Sequence, residues 1–380
     1  MENEAGRLKD CAKCGACNSV CPVYAVKLNE SWSPRGRLAL LSSILAGASA
    51  DSETAAPGLA ERLKGCALCG RCDSRCPAGL RPTEFIYSGR AAIVRAGRKG
   101  RLLLKLAARI ALSNPARAIM AAKAGMRFNF IRSAMPFPIE FPGHPLRNEL
   151  QVVKPARAIG RVAVFAGCAA NYLMPDIGES LINLLAALGY EVVLPRAEAC
   201  CGAPLRALGL EDEAKELAER NIGIFGKLNA EAVISPCPTC TYALKEQYKN
   251  LLGKGIPEAV EAVEFLSGVL DLDKLRSASG KGEDTLWHTP CHLQYGLKAN
   301  PATMLESLGI EAAPDGCCGF SLSITSKELA GEFLARRVDA LKKHNQIITS
   351  CPACILQLKK GGLNATHIVK LIEKRLLPSG

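Results

Sequence analysis

Two stretches of the chain alternate short β-branched runs with helix-length segments. The first reads RVAVFAGC, DIGESLINLLAALG and YEVVLPRAEACCG, then a helical stretch from Glu211 to Leu228, then AVISPCPTC. The second reads DTLWHTPC, ATMLESLG and IEAAPDGCCG, then a helical stretch from Ser326 to Lys343, then QIITSCPAC. Such alternation predicts parallel strands joined by crossover helices, three strands to each unit. Nearer the N-terminus this pattern is missing, and LALLSSILAG and ETAAPGLAERLKGC predict helices. Between the two halves, RLLLKLAARIAL and ARAIMAAKAGM read as basic amphipathic helices, followed by MPFPIEFPGHP, ending at Pro145, as an extended linker. The expectation is an α+β multidomain chain. A helical domain spans residues 1–90, a basic helical connector with a proline-rich linker spans 91–157, and two α/β units span 158–275 and 276–380.

Composition narrows the classes. Of the 380 residues 48% are hydrophobic, enough for packed cores and against disorder. Aromatics make up 5%, which weakens any reading built on base stacking. No apolar run reaches the ~18 to 20 residues of a membrane span, and MENEAGRLKD does not read as a secretion signal. The expectation is a cytoplasmic protein. Eighteen cysteines in such a chain point to metal or redox chemistry rather than a disulfide framework.

Cys11, Cys14, Cys17 and Cys21 precede Pro22; Cys66, Cys69, Cys72 and Cys76 precede Pro77. Both runs have the spacing C-x2-C-x2-C-x3-C-P of bacterial ferredoxins holding cubane [4Fe-4S] clusters, in which the fourth cysteine ligates the other cluster. That resemblance pairs Cys11, Cys14 and Cys17 with Cys76, and Cys66, Cys69 and Cys72 with Cys21. Zinc knuckles are the alternative, but they use pairs of C-x2-C rather than four cysteines in one run.

The other ten cysteines repeat one grammar: C, then CCG, then CPxC. They are Cys168, Cys200, Cys201, Cys237 and Cys240, then Cys291, Cys317, Cys318, Cys351 and Cys354. Each group follows a predicted strand, and the carboxyl ends of parallel strands share one sheet edge. Gly202 and Gly319 would let the backbone turn closely around an inorganic core. The prolines of CPTC and CPAC would shape the entry to a helix whose N-terminus favours thiolates. A lone CPxC would read as a thioredoxin motif, and scattered buried cysteines as packing; two copies at matching offsets argue against both. His288 and His292 flank Cys291, where a role beside the thiols competes with plain packing; His144, His344 and His367 read as structural or exposed.

The C-terminal pattern resembles the CCG domain of the heterodisulfide reductases. Its fusion to two ferredoxin motifs is similar to the glycolate oxidase iron–sulfur subunit family and its relatives. Ser33-Pro34-Arg35-Gly36-Arg37 and His288-Thr289-Pro290-Cys291-His292 resemble segments of those proteins. The resemblance implies an N-terminal α-helical ferredoxin domain and two Rossmann-like CCG units. It implies two cubane clusters and up to two further [4Fe-4S] clusters of non-cubane form, one for each five-cysteine set. It also implies an electron-transfer subunit of a flavin-dependent 2-hydroxyacid dehydrogenase of glycolate or D-lactate type. The partners would be an FAD-containing dehydrogenase subunit and an electron acceptor: a quinone, a membrane protein or a soluble carrier. All five cysteines persist in both units, as in the heterodisulfide reductases. That keeps a disulfide-cleaving enzyme open, with Cys200, Cys201, Cys317 and Cys318 as catalytic candidates. A zinc-bound scaffold is the remote alternative. No G-x-G-x-x-G, P-loop or G-x-S-x-G occurs, so no nucleotide or flavin site is expected on this chain.

The formal charge of +12 looks like a nucleic-acid signal. Four clusters with deprotonated ligands, each adding roughly −2, would leave about +4. The excess is also local. From Phe85 to Ile139 there are eleven basic residues and no acid: Arg90, Arg95, Arg98, Lys99, Arg101, Lys105, Arg109, Arg117, Lys123, Arg127 and Arg132. The expectation is partner docking or peripheral contact with the inner membrane face through residues 85–139, with no nucleic acid.

Overall fold

A computed structural model describes residues 8–45, 52–96, 145–146, 152–278 and 284–377. The N-terminal domain is helical, built mainly on Pro34–Leu45, Ser52–Lys64 and Pro82–Ala96, with short turns of helix at Ala16–Ser19, Pro22–Lys27 and Arg71–Arg75. Leu38, Leu41, Leu59, Leu63, Phe85 and Ile86 close its core. Two buried arginines tie the loops to it. Arg37 donates to the carbonyls of Arg62 and Gly65. Arg90 donates to those of Leu63, Lys64 and Cys66, and also reaches Ala207 in the next domain. Arg90 is 4% exposed and Arg95 pairs with Glu211 and Asp212, so neither is the free docking charge expected of the basic segment. Arg98, Lys99, Arg101, Lys105, Arg109, Arg117, Lys123, Arg127 and Arg132 lie outside the described residues.

Two mostly parallel sheets follow. The strands are β1 (Val152–Val153), β2 (Gly160–Val164), β3 (Tyr190–Val193), β4 (Ala232–Ser235), β5 (Ala259–Glu261), β6 (Thr285–Trp287), β7 (Glu311–Ala312), β8 (Gln346–Thr349) and β9 (Ala365–His367). The first sheet has the order β1-β3-β2-β4-β5 and the second β7-β6-β8-β9. All pairings are parallel except β1 with β3. Without β1, the two orders coincide. Three strands per unit were expected; β5 and β9 are fourth strands that the short runs AVE and ATH are too brief to announce.

Both sheets contribute to one continuous core. Val162, Val164 and Ile234 of the first and Trp287, Ile347 and Ile348 of the second are 0% exposed. The helix Pro175–Ala187 of the first unit packs on Ile368–Leu376 of the second. Proline opens the former, and Ile177, Leu181, Ile182, Leu184 and Leu185 face the core at helical spacing. Each such side chain contributes roughly 1.5–3 kcal/mol by burial. Among the described residues, no helix is long and apolar enough to cross a membrane.

Candidate functional site

The two ferredoxin-type runs fold alike. Lys13 and Leu68, each just before the second cysteine of its run, both hold a φ of 53°. The chain curls there, and the first three thiols of each run converge from one loop while the fourth crosses to the other run's cavity. Cys11, Cys14, Cys17 and Cys76 line one cavity, with Ala12, Pro77 and Leu80 among its walls. Cys21, Cys66, Cys69 and Cys72 line a second. Cys21 caps the helix Pro22–Lys27, its Sγ accepting from the Tyr24 amide at 3.4 Å. Cys14 is exposed, whereas Cys66, Cys69 and Cys72 are buried. Burial pushes the Cys69 and Cys72 thiols well above the ordinary range. A cation that takes the protons' place relieves that cost.

The ten remaining sulfurs form one chain of contacts. Cys168 hydrogen-bonds Cys200, Cys200 hydrogen-bonds Cys201, and Cys201 hydrogen-bonds Cys240. Cys240 then meets Cys237, and Cys237 meets Cys351 of the other unit. In the second unit Cys351 contacts Cys354, the Cys318 thiol lies 3.3 Å from Cys354, and Cys318 and Cys317 lead to Cys291. Hydrogen bonding, from Cys200 first, holds Cys201 down at about 6. Hydrogen bonds from Cys291 and Cys237 likewise depress Cys317 and Cys351. Cys318 and Cys354 are held up by hydrogen bonds to Cys317 and Cys318 respectively. Cys168 reaches the surface at one end. At the other, Cys69 lies close enough to Cys317 and Cys291 for their charges to act on one another.

The backbone reasons are visible at each strand end. Cys237 and Cys351 are the N-cap residues of Pro238–Tyr242 and Pro352–Lys360, with proline at the first helical position as the CPxC motif predicts. Two residues before each, Ser235 Oγ and Thr349 Oγ1 are buried with no hydrogen-bond partner. Such stranded hydroxyls fit an acceptor-rich inorganic sulfide beside them. Gly202 and Gly319 both adopt a φ of 79°, but a Cβ on Gly202 would make only ordinary contacts, 3.4 Å or more, with Ala214. A Cβ on Gly319 would lie 2.7 Å from Phe333 Cβ. The positive φ lets the chain turn at each CC pair, and at Gly319 the missing Cβ also lets the following helix pack close.

Neither flanking histidine is merely packing. His292 joins three parts of the molecule: Nε2 donates to the Leu68 carbonyl at 3.1 Å, Nδ1 accepts from Thr239 at 2.8 Å, and the ring stacks on Tyr242 at 5.3 Å. Arg81 of the helical domain hydrogen-bonds the same Tyr242 hydroxyl. His288 accepts from Arg337 Nε at 3.0 Å, and a ring nitrogen lies within 4.8 Å of the Cys318 and Cys354 sulfurs. His367 is buried and structural, joining Pro236 and Ser350, whereas His344 pairs with Asp284 near the surface; His144 lies outside the described residues. Sequence reasoning missed Arg71, Tyr242 and Arg337. Arg337 sits in ARRVDALKK, which reads like any solvated helix face; only alignment of the two repeats would have set it apart.

Residues 162–245 and 285–359 match the cysteine-rich domain CCG, and residues 7–80 match the 4Fe-4S dicluster domain. Over 97% of its length the chain is 28% identical to one subunit of the fumarate reductase (CoM/CoB) of Methanothermobacter marburgensis, covering 71% of that protein. Over 97% of its length it is 26% identical to the glycolate oxidase iron-sulfur subunit of Escherichia coli, covering 94% of it. Over 93% of its length it is 26% identical to one subunit of the dihydromethanophenazine:CoB–CoM heterodisulfide reductase of Methanosarcina barkeri, covering 89% of it.

Proposed function

We propose, for an iron–sulfur protein that carries two CCG domains behind a 4Fe-4S dicluster domain, that it is the electron-relay subunit of an oxidoreductase complex. Its partner would be a flavoprotein that oxidises a 2-hydroxyacid of glycolate or D-lactate type and releases the two electrons singly. The observation that carries this reading is the run of thiols from Cys69, beside Cys317 and Cys291, through both CCG sets to exposed Cys168, with the Cys11/14/17/76 set in the same helical domain as Cys69. The order is the Cys11/14/17/76 set, the Cys21/66/69/72 set, the second CCG set, then the first. When bound, iron–sulfur clusters supply one-electron redox chemistry, two as cubanes in the ferredoxin-type sets and two in the CCG sets. The protein's own part is to hold eighteen cysteines as ligands, exclude water and bring both CCG sets together beside Cys69.

Iron analysis tests the relay. Anaerobic preparations are expected to hold about sixteen irons and as many sulfides per chain, four for each set. Cys14→Ser is expected to remove one cubane signal and leave the CCG signals intact. A chain that fills with zinc and takes up only traces of iron would overturn the reading.

A second reading rests on the Cys237–Cys351 contact, which brings both CCG sets to one junction. There a disulfide could take up two electrons and two protons and leave as two thiols. The test reduces the chain with a low-potential viologen and offers dyes and, separately, low-molecular-weight disulfides. The relay is expected to reduce dyes readily and disulfides slowly or not at all. Rapid thiol production abolished by Cys318→Ser or Cys201→Ser, with dye reduction surviving, would make the disulfide reductase the better reading.

A further inference from the structure

The two CCG units place different residues at matching positions around their thiols. Phe165 follows β2 in the first unit and His288 follows β6 in the second, each three residues before the first cysteine of its set. Ala199 stands before the CC pair of the first unit and Gly316 before that of the second. Asn221 lies ten residues past the first residue of the helix Glu211–Phe225, and Arg337 lies ten past the first of Lys327–Leu341. These three differences belong together.

In the first unit Phe165 packs on Phe225 with ring centroids 5.5 Å apart. The neutral Asn221 amide accepts from the Ala199 amide and donates to the carbonyls of Ala199 and Cys200. In the second unit Arg337 takes over that task. It is 4% exposed, donates from Nη1 to Pro314 at 2.6 Å and from Nε to His288 at 3.0 Å. A Cβ on Gly316 would lie 2.6 Å from Arg337 Nη1, so a glycine there is what makes room for the guanidinium. Since His288 Nδ1 accepts, the ring is neutral and adds no charge of its own. Arg337 therefore brings a permanent positive charge to the buried side of Cys317, Cys318 and Cys354.

The acids run the other way. Glu198, two residues before Cys200, is 4% exposed and accepts from the amides of Ala166 and Gly167 beside Cys168. Asp315 holds the same place before Cys317, but its side chain is 41% exposed and paired with Arg71. One site thus has a buried carboxylate and the other a buried guanidinium.

On the reading that both sets hold iron–sulfur clusters, we infer that Arg337 raises the reduction potential of the second CCG site above that of the first. Reduction adds a negative charge, and a buried cation nearby favours the reduced form, the more so where water is excluded. Arg337 is a positioning and tuning residue, not a ligand. An electron shared by the two sites rests mainly on the second, the one beside Cys69.

The experiment is a redox titration of the full, iron-loaded chain followed by electron paramagnetic resonance, with the second-site signal identified by its loss in Cys318→Ser. Arg337→Gln is expected to lower that signal's midpoint by the equivalent of at least a tenfold change in electron partition, about 59 mV for a one-electron couple. Arg337→Lys keeps the charge and is expected to stay closer to the parent. Arg336→Gln removes an equal charge from the exposed face of the same helix and is expected to leave the midpoint in place. If Arg337→Gln does not assemble, Gly316→Ala displaces the guanidinium and should lower the midpoint in the same sense. Iron-loaded variants whose midpoints do not move, or move equally for positions 336 and 337, would overturn this inference and leave the relay standing. A parent chain that takes up no iron would overturn the relay itself and this inference with it.

Discussion

The two CCG units share a strand order and a thiol grammar, yet they grip the helical domain differently. The first unit uses a buried ion pair: Arg206 lies 2.5 Å from Glu84, with side chains 5% and 15% exposed, and covers the Tyr87 ring at 4.2 Å. The second unit has Ser323 at the corresponding place and turns that serine inward to Gln357. It meets the helical domain through Lys27 with Glu328 and Glu332, the former 76% exposed, and through Arg71 with Asp315. A repeated backbone evidently leaves the choice of buried charge free. One unit anchors the helical domain, and the other abuts its second thiol set.

The largest expected effect separates those two grips. Glu84→Gln strands Arg206 as a buried charge and is expected to cost about 3–5 kcal/mol in denaturant unfolding. Glu328→Gln removes an exposed partner that salt already screens, and should leave the midpoint where it was. Equal effects would break the comparison.

A smaller difference is expected at the two CCG glycines. Gly319→Ala meets Phe333 Cβ at 2.7 Å and also forces alanine to a φ of 79°. Overpacking and left-handed strain together cost about 2–5 kcal/mol. Gly202→Ala meets only ordinary contacts, 3.4 Å or more, so the strain alone remains, about 1–2 kcal/mol. Thermal unfolding of the two variants checks the order; a larger loss at Gly202 would reverse it.

The finest test concerns the ends of β5 and β9. Glu261 and His367 hold equivalent places there, each accepting from an amide two residues on to cap the following helix. Burial pushes the Glu261 carboxyl up from 4.5 to about 8. Burial pushes His367 down from 6.5 to about 4. A carboxyl with a raised folded pKa binds its proton more tightly when folded, so its contribution is complete below pH 4.5 and is lost as pH rises towards 8. A histidine with a depressed folded pKa contributes fully above 6.5 and loses that contribution as pH falls towards 4. Either slope is at most about 1.4 kcal/mol per pH unit. Glu261→Gln should flatten the alkaline limb of stability against pH, and His367→Asn the acid limb. Denaturation midpoints across that range decide it, and a variant that flattens the opposite limb would contradict the assignment.

Much of this architecture was legible before any coordinates. The first three thiols of each four-cysteine run are joined by loops of a few residues, so their spacing says that they can converge, whereas the crossing of Cys76 and Cys21 to the other set was implied by the ferredoxin resemblance. The alternation of RVAV, YEVV and AVIS with amphipathic stretches announced parallel strands, because parallel sheets need crossovers long enough to hold a helix. The helix expected from Glu211 to Leu228 runs Glu211–Phe225, and that expected from Ser326 to Lys343 runs Lys327–Leu341. Arg90 was misread because a basic residue among apolar ones looks the same whether it faces water or carbonyl oxygens.

Residue order alone thus settles what is local or periodic: which positions carry thiols, how each run turns, and where strands and helices alternate. Assembly settles the rest: that Cys237 meets Cys351, that Cys69 lies beside Cys317, and that Arg337 rather than a neutral side chain backs the second site. Those contacts join residues up to 248 positions apart, such as Cys69 and Cys317. They depend on two sheets burying their faces in one core, and burial is a property of the assembled molecule that no short stretch of chain can express.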